Sequence, residues 1–398
     1  MFVHLFKLIW NKKKQNSLLI VEMFISFLVM FAVLTMLVYS YKNFRQPVGF
    51  DYNDVWVISF SPPEKLNDAI SVSLFQDALK KTLFSMPQIK AVSFSGSNVP
   101  FSMNTSNSRI NYGKTKSVMT NFYDAEESFP AVMNMQMVEG RWYNKADDAA
   151  KYRPVVINRK LKEELFGNEN AVGKLIGEEN YEQGKAENRF KVMGVVENAK
   201  DKGSYQAIEN GIYVKMDSNA LRWAGTMVIK VKPGTDASFE SKLFKTVSNA
   251  VGTSVEIEHL DKKLVSKNKV LLVPMIIAAV VAGFLIINVA LGLFGVLWYN
   301  INKRKGEIGL RRAVGATGNN VSAQLVGEAL VLATIALIIG LFFAVQFPLM
   351  NVFDLPANTY LTAIGLAVIF IYILVIICAL YPGKQAAGIY PAVALHEE

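Results

Sequence analysis

Four long apolar runs restrict this chain more than any other feature. Gln15 to Tyr41 carries one charged residue, Glu22. Val270 to Asn302 carries none, Val321 to Asn351 only Glu328, and Leu355 to Gly383 none. A helix crosses a bilayer of roughly 30 Å with about 20 mostly apolar residues. Backbone in hydrocarbon has to satisfy its own hydrogen bonds. Each run therefore predicts a transmembrane helix, at 15–41, 270–300, 319–346 and 360–382. The first is too long for a secretory signal, lacks a small-residue cleavage site, and has bulky Tyr39, Tyr41 and Phe44 at its end. It reads as a retained anchor.

The basic balance, 42 Lys+Arg against 33 Asp+Glu, is compatible with nucleic acid until the clusters are placed. Lys12, Lys13 and Lys14 precede the first run, and Lys303, Arg304, Lys305, Arg311 and Arg312 fill the link between the second and third. The link after the third, 347–359, has no Lys or Arg and carries Asp354. This is the positive-inside asymmetry. It predicts both termini, the 301–318 link and the tail 383–398 in the cytoplasm, with 42–269 outside and 347–359 a short external loop. Lys384 supports that orientation weakly. Residues 1–14 read as an amphipathic helix, with Phe2, Leu5, Phe6 and Ile9 at helical spacing, either lying in the membrane surface or extending the first span.

The single cysteine, Cys378, falls inside the fourth run, so the external region folds without disulfides. At 42–269 it is long enough for its own core. Val55 to Phe60 is a β-type run, Asn67 to Phe84 helix-like, and Ile89 to Phe94 alternates as a strand. The order returns in Thr226 to Val231, Ser238 to Ala250 and Val255 to His259. Two β-α-β halves, 42–95 and 211–260, predict a split ferredoxin-like α+β fold. Residues 96–210 form an inserted, mainly β subdomain, with Pro154 to Asn158, Lys160 to Phe166 and Phe190 to Val196 among its pieces. Its opening, Ser95 to Ser108, is rich in Ser, Asn and Gly and reads as a mobile loop. The fold class is thus a four-helix membrane part carrying a large α+β extracytoplasmic domain.

Catalytic and metal-binding signals are absent. His4, His259 and His396 are scattered, and no Gly-x-Ser-x-Gly elbow occurs. Gly113-Lys114-Thr115 imitates the end of a phosphate-binding loop, but Ser108 stands where its first glycine belongs. Glu22 and Glu328 are intramembrane carboxylates, costly unless paired or wetted. Both lie near the cytoplasmic ends of their spans, which favours a cationic or polar neighbour over an ion relay. Small residues at four-residue spacing, Ala278/Ala282, Ala279/Gly283 and Ala336/Gly340/Ala344, suit close helix packing.

The most informative stretch is the link between the second and third runs. Ile308, Leu310, Ala313 and Val314 give it an apolar side, and Glu307 stands among five cations. A short amphipathic helix of this kind is something a partner protein can grip. Arg304-Lys-Gly-Glu-Ile-Gly-Leu-Arg-Arg-Ala-Val-Gly-Ala-Thr317, followed by Gln324 and Glu328, closely resembles the signature of MacB/FtsX-type ABC permeases. Tyr381-Pro-Gly-Lys-Gln-Ala-Ala-Gly-Ile-Tyr-Pro-Ala-Val-Ala-Leu395 is similar to that family's ending, although Gly383-Lys384-Gln385 replaces its frequent Ala-Arg-Arg. Glu139 to Tyr143, Val155 to Asn158, Leu165 to Gly167, Val172 to Lys174 and Val192 to Val196 resemble its periplasmic core domain in order.

The resemblance implies a non-catalytic permease subunit in the bacterial inner membrane. ATP and Mg would be bound by a separate ABC ATPase, since no nucleotide-binding domain precedes the first span, as in Bacteroidetes-type members. It implies a second permease copy, as a homodimer with a heterodimer as the alternative, and allows a periplasmic adaptor and an outer-membrane channel. Besides membrane lipids, no nucleic-acid partner is expected. The coupling residues it marks are Arg304, Glu307, Ile308, Leu310, Arg311, Arg312, Ala313 and Gly315. Ile308 and Leu310 are expected to pack into the ATPase, with Glu307, Arg311 and Arg312 setting register. Motion would reach the external domain through helical stalks at Tyr39 to Arg45 and Leu260 to Lys269. Export of a peptide, small molecule or lipoprotein is the leading expectation; FtsX-like control of a cell-wall hydrolase is the alternative.

Overall fold

The computed structural model describes residues 13–63, 68–113, 116–177 and 189–389. The amphipathic helix expected over 1–14 lies, but for its last two residues, outside these, as do His4, His396, Lys114 and Thr115. The chain forms two units, one from the residues up to Lys42 and from Leu272 onward, the other from Asn43 to Leu271.

After helix α1 (Lys13–Phe44), the large domain opens with β1 (Val55–Phe60), α2 (Ala69–Phe84) and β2 (Ile89–Ser95). Asp68 starts α2 by accepting the amides of Ile70 and Ser71 at 3.0 and 2.9 Å. The insertion follows: β3 (Asn107–Tyr112), β4 (Lys116–Ala125), α3 (Phe129–Met133), β5 (Met137–Gly140), β6 (Arg153–Asn158), α4 (Arg159–Phe166), β7 (Leu175–Gly177), β8 (Arg189–Val196) and β9 (Gly211–Lys215). Then come α5 (Ser218–Arg222), β10 (Thr226–Val231), α6 (Ala237–Val251) and β11 (Val255–His259).

The four outer strands run in the order β11-β1-β10-β2, every neighbour antiparallel. In each β-α-β half the two strands are parallel and a strand of the other half lies beside or between them, which is the split ferredoxin-like arrangement. Alternation along β1 explains the layering. Trp56, Ile58 and Phe60 turn to one face, under Leu79 and Leu83 of α2 and Leu243 and Val247 of α6. Val55 and Val57 turn to the other, toward Tyr123, Val132 and Leu260.

A single residue pair, Ser95 with Ala125, joins β2 to β4 and continues the sheet as β4-β9-β6-β8-β5. This corrects the boundary expected at 211. Strand β9 pairs with β4 and β6, so it belongs to the insertion. Its Ile212 and Val214 pack with Val155, Ile157, Leu161 and Leu165 in a core separate from the ferredoxin-like one. The segment read as a mobile loop is anchored as well: Val99 and Phe101 are 4% and 3% exposed in the domain core.

Four helices among the described residues are long and apolar enough to cross a membrane: α1, α7 (Leu260–Lys303), α9 (Gly318–Leu349) and α10 (Ala357–Ala387). Between α7 and α9 lies α8 (Lys305–Ala313). Each long helix exceeds the span expected for it. The last continues through Pro382 to Ala387, so the first residues of the expected tail are helical; a proline is tolerated where neighbouring helices satisfy the freed carbonyl. One buried cluster takes in Leu19, Met23 and Phe27 of α1, Val289, Leu293 and Leu297 of α7, Ala329, Ala333 and Ala336 of α9, and Ala363, Ala367 and Ile371 of α10. The α9 small-residue stripe is part of this packing: a Cβ on Gly340 would stand 2.4 Å from the Phe27 ring. In α7, Ala282 is buried whereas Ala279 is exposed.

Candidate functional site

Arg304 breaks the helix between α7 and α8, and from that position its guanidinium reaches two carboxylates. Its Nε lies 2.9 Å from Glu307, and its Nη1 lies 3.2 and 3.0 Å from the two oxygens of Glu328. Gln324 Nε2 donates to Glu328 at 3.1 Å, and Arg311 Nη1 donates to Gln324 Oε1 at 2.7 Å. Arg311 Nη2 closes the circuit on Glu307 at 2.7 Å. Two cations, two anions and one amide thus form a closed ring fastening α8 to α9. Glu307 and Glu328 hold the Arg304 guanidinium further into its charged range than usual. Glu328 is therefore placed in a cationic, hydrogen-bonded corner.

Arg312 fastens α8 to α10. It donates to the carbonyl of Ala387, and to that of Ile389 at 2.8 Å, satisfying acceptors that a helix end leaves over. Gly315 ends α8. Its φ of +105° lets Gly315 and Ala316 return their amides to Arg312 and Arg311 at 3.1 and 3.0 Å, a Schellman closure that favours glycine.

Ile308 requires a correction. It is 6% exposed and packs against Ile301, Val321, Leu325 and Ala386 of its own chain, so it offers nothing to a partner. The reason is geometric: residues two apart on a helix point about 200° apart, so Ile308 and Leu310 cannot share a face. Leu310, with Val314 four residues on, forms the outward apolar pair, 57% and 83% exposed. Ala313 and Gly315 are exposed beside them. At about 100° per residue, Val314 falls on the face of Leu310 and Ile308 does not.

Glu22 is brought to none of these groups. Its carboxylate lies against Gly292 of α7, where a Cβ would stand 2.6 Å from Oε2. In the large domain a polar cleft of about 560 Å³ is lined by Asp148, Arg153, Lys215 and Asp217. Its charges already answer one another: Arg153 lies 3.6 Å from Asp217, and Lys215 2.6 Å from Asp148. His259 sits 3.1 Å from Glu240 and stacks on Trp56, a brace at the end of β11. Among the described residues no group of three His, Cys, Asp or Glu could hold a metal ion.

A family model described as the MacB-like periplasmic core domain matches residues 20–257, and one described as the FtsX-like permease C-terminal matches residues 273–391. The macrolide export ATP-binding/permease protein MacB 1/2 of Paracoccus denitrificans is 26% identical over 233 residues, covering 56% of this chain and 33% of that protein. The pyoverdine export ATP-binding/permease protein PvdT of Pseudomonas syringae pv. syringae is 23% identical over 283 residues, 68% of this chain and 42% of that protein. The chain spans less than half the length of these curated relatives. The crystal structure of the periplasmic region of MacB from Actinobacillus actinomycetemcomitans aligns with a TM-score of 0.37 at 19% identity, over 56% of this chain and 95% of that one. With one family model covering Asn43–Leu271 almost entirely and the other the last three spans, the chain belongs to the MacB/FtsX-like family of ABC transporter permeases.

Proposed function

We propose that this chain is the permease subunit of a MacB-type, mechanotransmitting ABC exporter, driven by an ABC ATPase that docks on α8. One observation carries the reading. The α8 helix is fixed from within by the Arg304 ring, the Arg312 contacts and the Ile308 core, yet it presents Leu310 and Val314 outward. A rigid lever with an exposed apolar tip suits a docking contact, where a few central residues carry most of the binding energy. In this reading the link and both termini face the cytoplasm, two copies pair, and α1 and α7 carry the motion to the periplasmic core domain. The cargo is a peptide, small molecule or lipoprotein.

The test is Leu310→Asp and Val314→Asp in the full-length chain. Both should reach the membrane at normal levels, because each replaces an exposed side chain. Recovery of a nucleotide-binding ABC subunit with the tagged permease should fall at least about tenfold, since a charge buried at the contact costs more than the apolar area lost. Unchanged recovery and unchanged permease-stimulated ATP hydrolysis would remove α8 as the docking element. Orientation is checked separately by labelling Ser106→Cys and Asn319→Cys in intact cells with an impermeant thiol reagent; only the first should react.

A further inference from the structure

Lys200 lies in the loop between β8 and β9 and is 1% exposed. An ammonium so buried has to spend its donors inside the protein. Its Nζ donates to the carbonyls of Asn43, of Ser204 at 2.6 Å and of Gln46 at 3.4 Å, which uses all three protons. The Asn43 carbonyl belongs to the last turn of α1, where carbonyls lack helical partners and the helix dipole is negative. Lys200 therefore caps the helix that leads into the domain.

The rest of the loop does the same work on both sides. The Lys200 amide donates to Val48 at 2.8 Å. Gly49, with φ +86°, runs so close that a Cβ would stand 1.9 Å from the Asn198 carbonyl. Asn43 Nδ2 donates to the Tyr205 carbonyl at 3.3 Å, and the Phe44 ring stacks on Tyr205 at 5.3 Å. On the other side, Ser204 donates its amide to Asn268 Oδ1 at 2.9 Å and accepts from Asn268 Nδ2 at 3.2 Å; Asn268 stands in the early turns of α7. The loop is rooted in the insertion, because the Asp201 carboxylate accepts from Tyr123 of β4 and its carbonyl from the Phe101 amide at 2.7 Å.

We infer that residues 199–205 are the joint that makes the end of α1, the start of α7 and the inserted subdomain move as one body, with Lys200 as its positioning residue. The use of that movement rests on the permease reading; the joint itself does not.

Hydrogen exchange on the full-length chain in lipid nanodiscs tests it. Lys200→Met keeps the length of the side chain and removes its donors. Exchange should rise about tenfold or more at 43–50, 199–205 and 264–269, while β1 and β10 keep their protection. Loosening at 264–269 is the decisive part, since the Lys200 ammonium donates to Asn43, Gln46 and Ser204 rather than to that stretch and a local packing role would leave it alone. A rise confined to 199–201, or spread evenly over the domain, would overturn the joint. Should Lys200→Met fail to fold, Asn268→Ala opens the joint from the other side and should loosen 43–50 and 199–205; protection unchanged there would overturn it equally. A final arm adds the ATPase and ATP. If the wild-type domain shows no ATP-dependent change in exchange while the variants behave as described, the permease reading fails and the joint stands.

Discussion

Two regions of this molecule fix helix ends with a buried or half-buried cation, and they do so by opposite means. At the link between the second and third spans, Arg304 answers Glu307 and Glu328, and with Arg311 and Gln324 the ring sums to zero charge. In the loop before β9, the Lys200 ammonium meets three neutral carbonyls. Burial accordingly depresses its pKa from the usual lysine value. The first region is held by charge matching, so removing one member leaves an opposite charge unpaired. The second relies on donor count and a helix dipole, so what it requires is the three N–H groups.

The largest effect expected in the first region comes from the residue inside it. Ile308→Asp places a carboxylate among Ile301, Val321 and Leu325. A buried unpaired charge costs several kcal/mol, so the membrane unit should fail to assemble, read as loss of monodisperse protein after extraction. A variant that extracts normally would show that Ile308 is not buried in the assembled protein. Next comes Arg304→Met, which strands Glu328 with Gln324 alone. Breaking a pair from one side costs about 3 kcal/mol when buried, and a drop in melting temperature should report it. Glu328→Gln removes the anion yet keeps an acceptor for Arg304, so its cost should stay near about 1 kcal/mol. If Glu328→Gln proves as damaging as Arg304→Met, charge matching is not what holds the corner. If it assembles normally but abolishes transport while ATP hydrolysis continues, Glu328 acts as a relay.

The two regions also differ in how far the sequence discloses them. The ring was half legible, because Arg304, Glu307, Arg311 and Glu328 are charged residues placed where charge is conspicuous. Helical periodicity likewise separates Ile308 from Leu310. The joint was invisible. Lys200 binds backbone carbonyls, which every residue has, so nothing in the sequence around it marks its partners. The fold shows the same division. The β-α-β halves were legible from alternation and helical spacing in Val55 to Phe94 and Thr226 to His259. Local pattern places β9 with the second β-α-β half, because pairing with β4, some 90 residues away in the chain, leaves no trace in five residues.

A third cation supplies the contrast that neither region gives alone, an ion pair in the open. Arg141 grips Asp147 through both nitrogens at 2.8 and 2.7 Å, and the Asn144 amide donates to the same carboxylate at 2.8 Å. Arg141, with the Asn144 amide beside it, pulls the Asp147 carboxyl down to about 2. The folded pKa is depressed, so the contribution is fully present above the unfolded value near 4 and is lost as pH falls through about 2. Because the arginine side chain is 49% exposed, solvent screens the pair and about 1 kcal/mol is at stake. Urea titration of the full-length chain at pH 5, 3.5 and 2 checks this. The wild type should lose that increment on acidification, and Asp147→Asn, which carries no titrating group there, should lose correspondingly less. Equal losses would mean that the bidentate contact contributes no pH dependence. The exposed pair would then rank below both the ring and the joint in what it does for the fold.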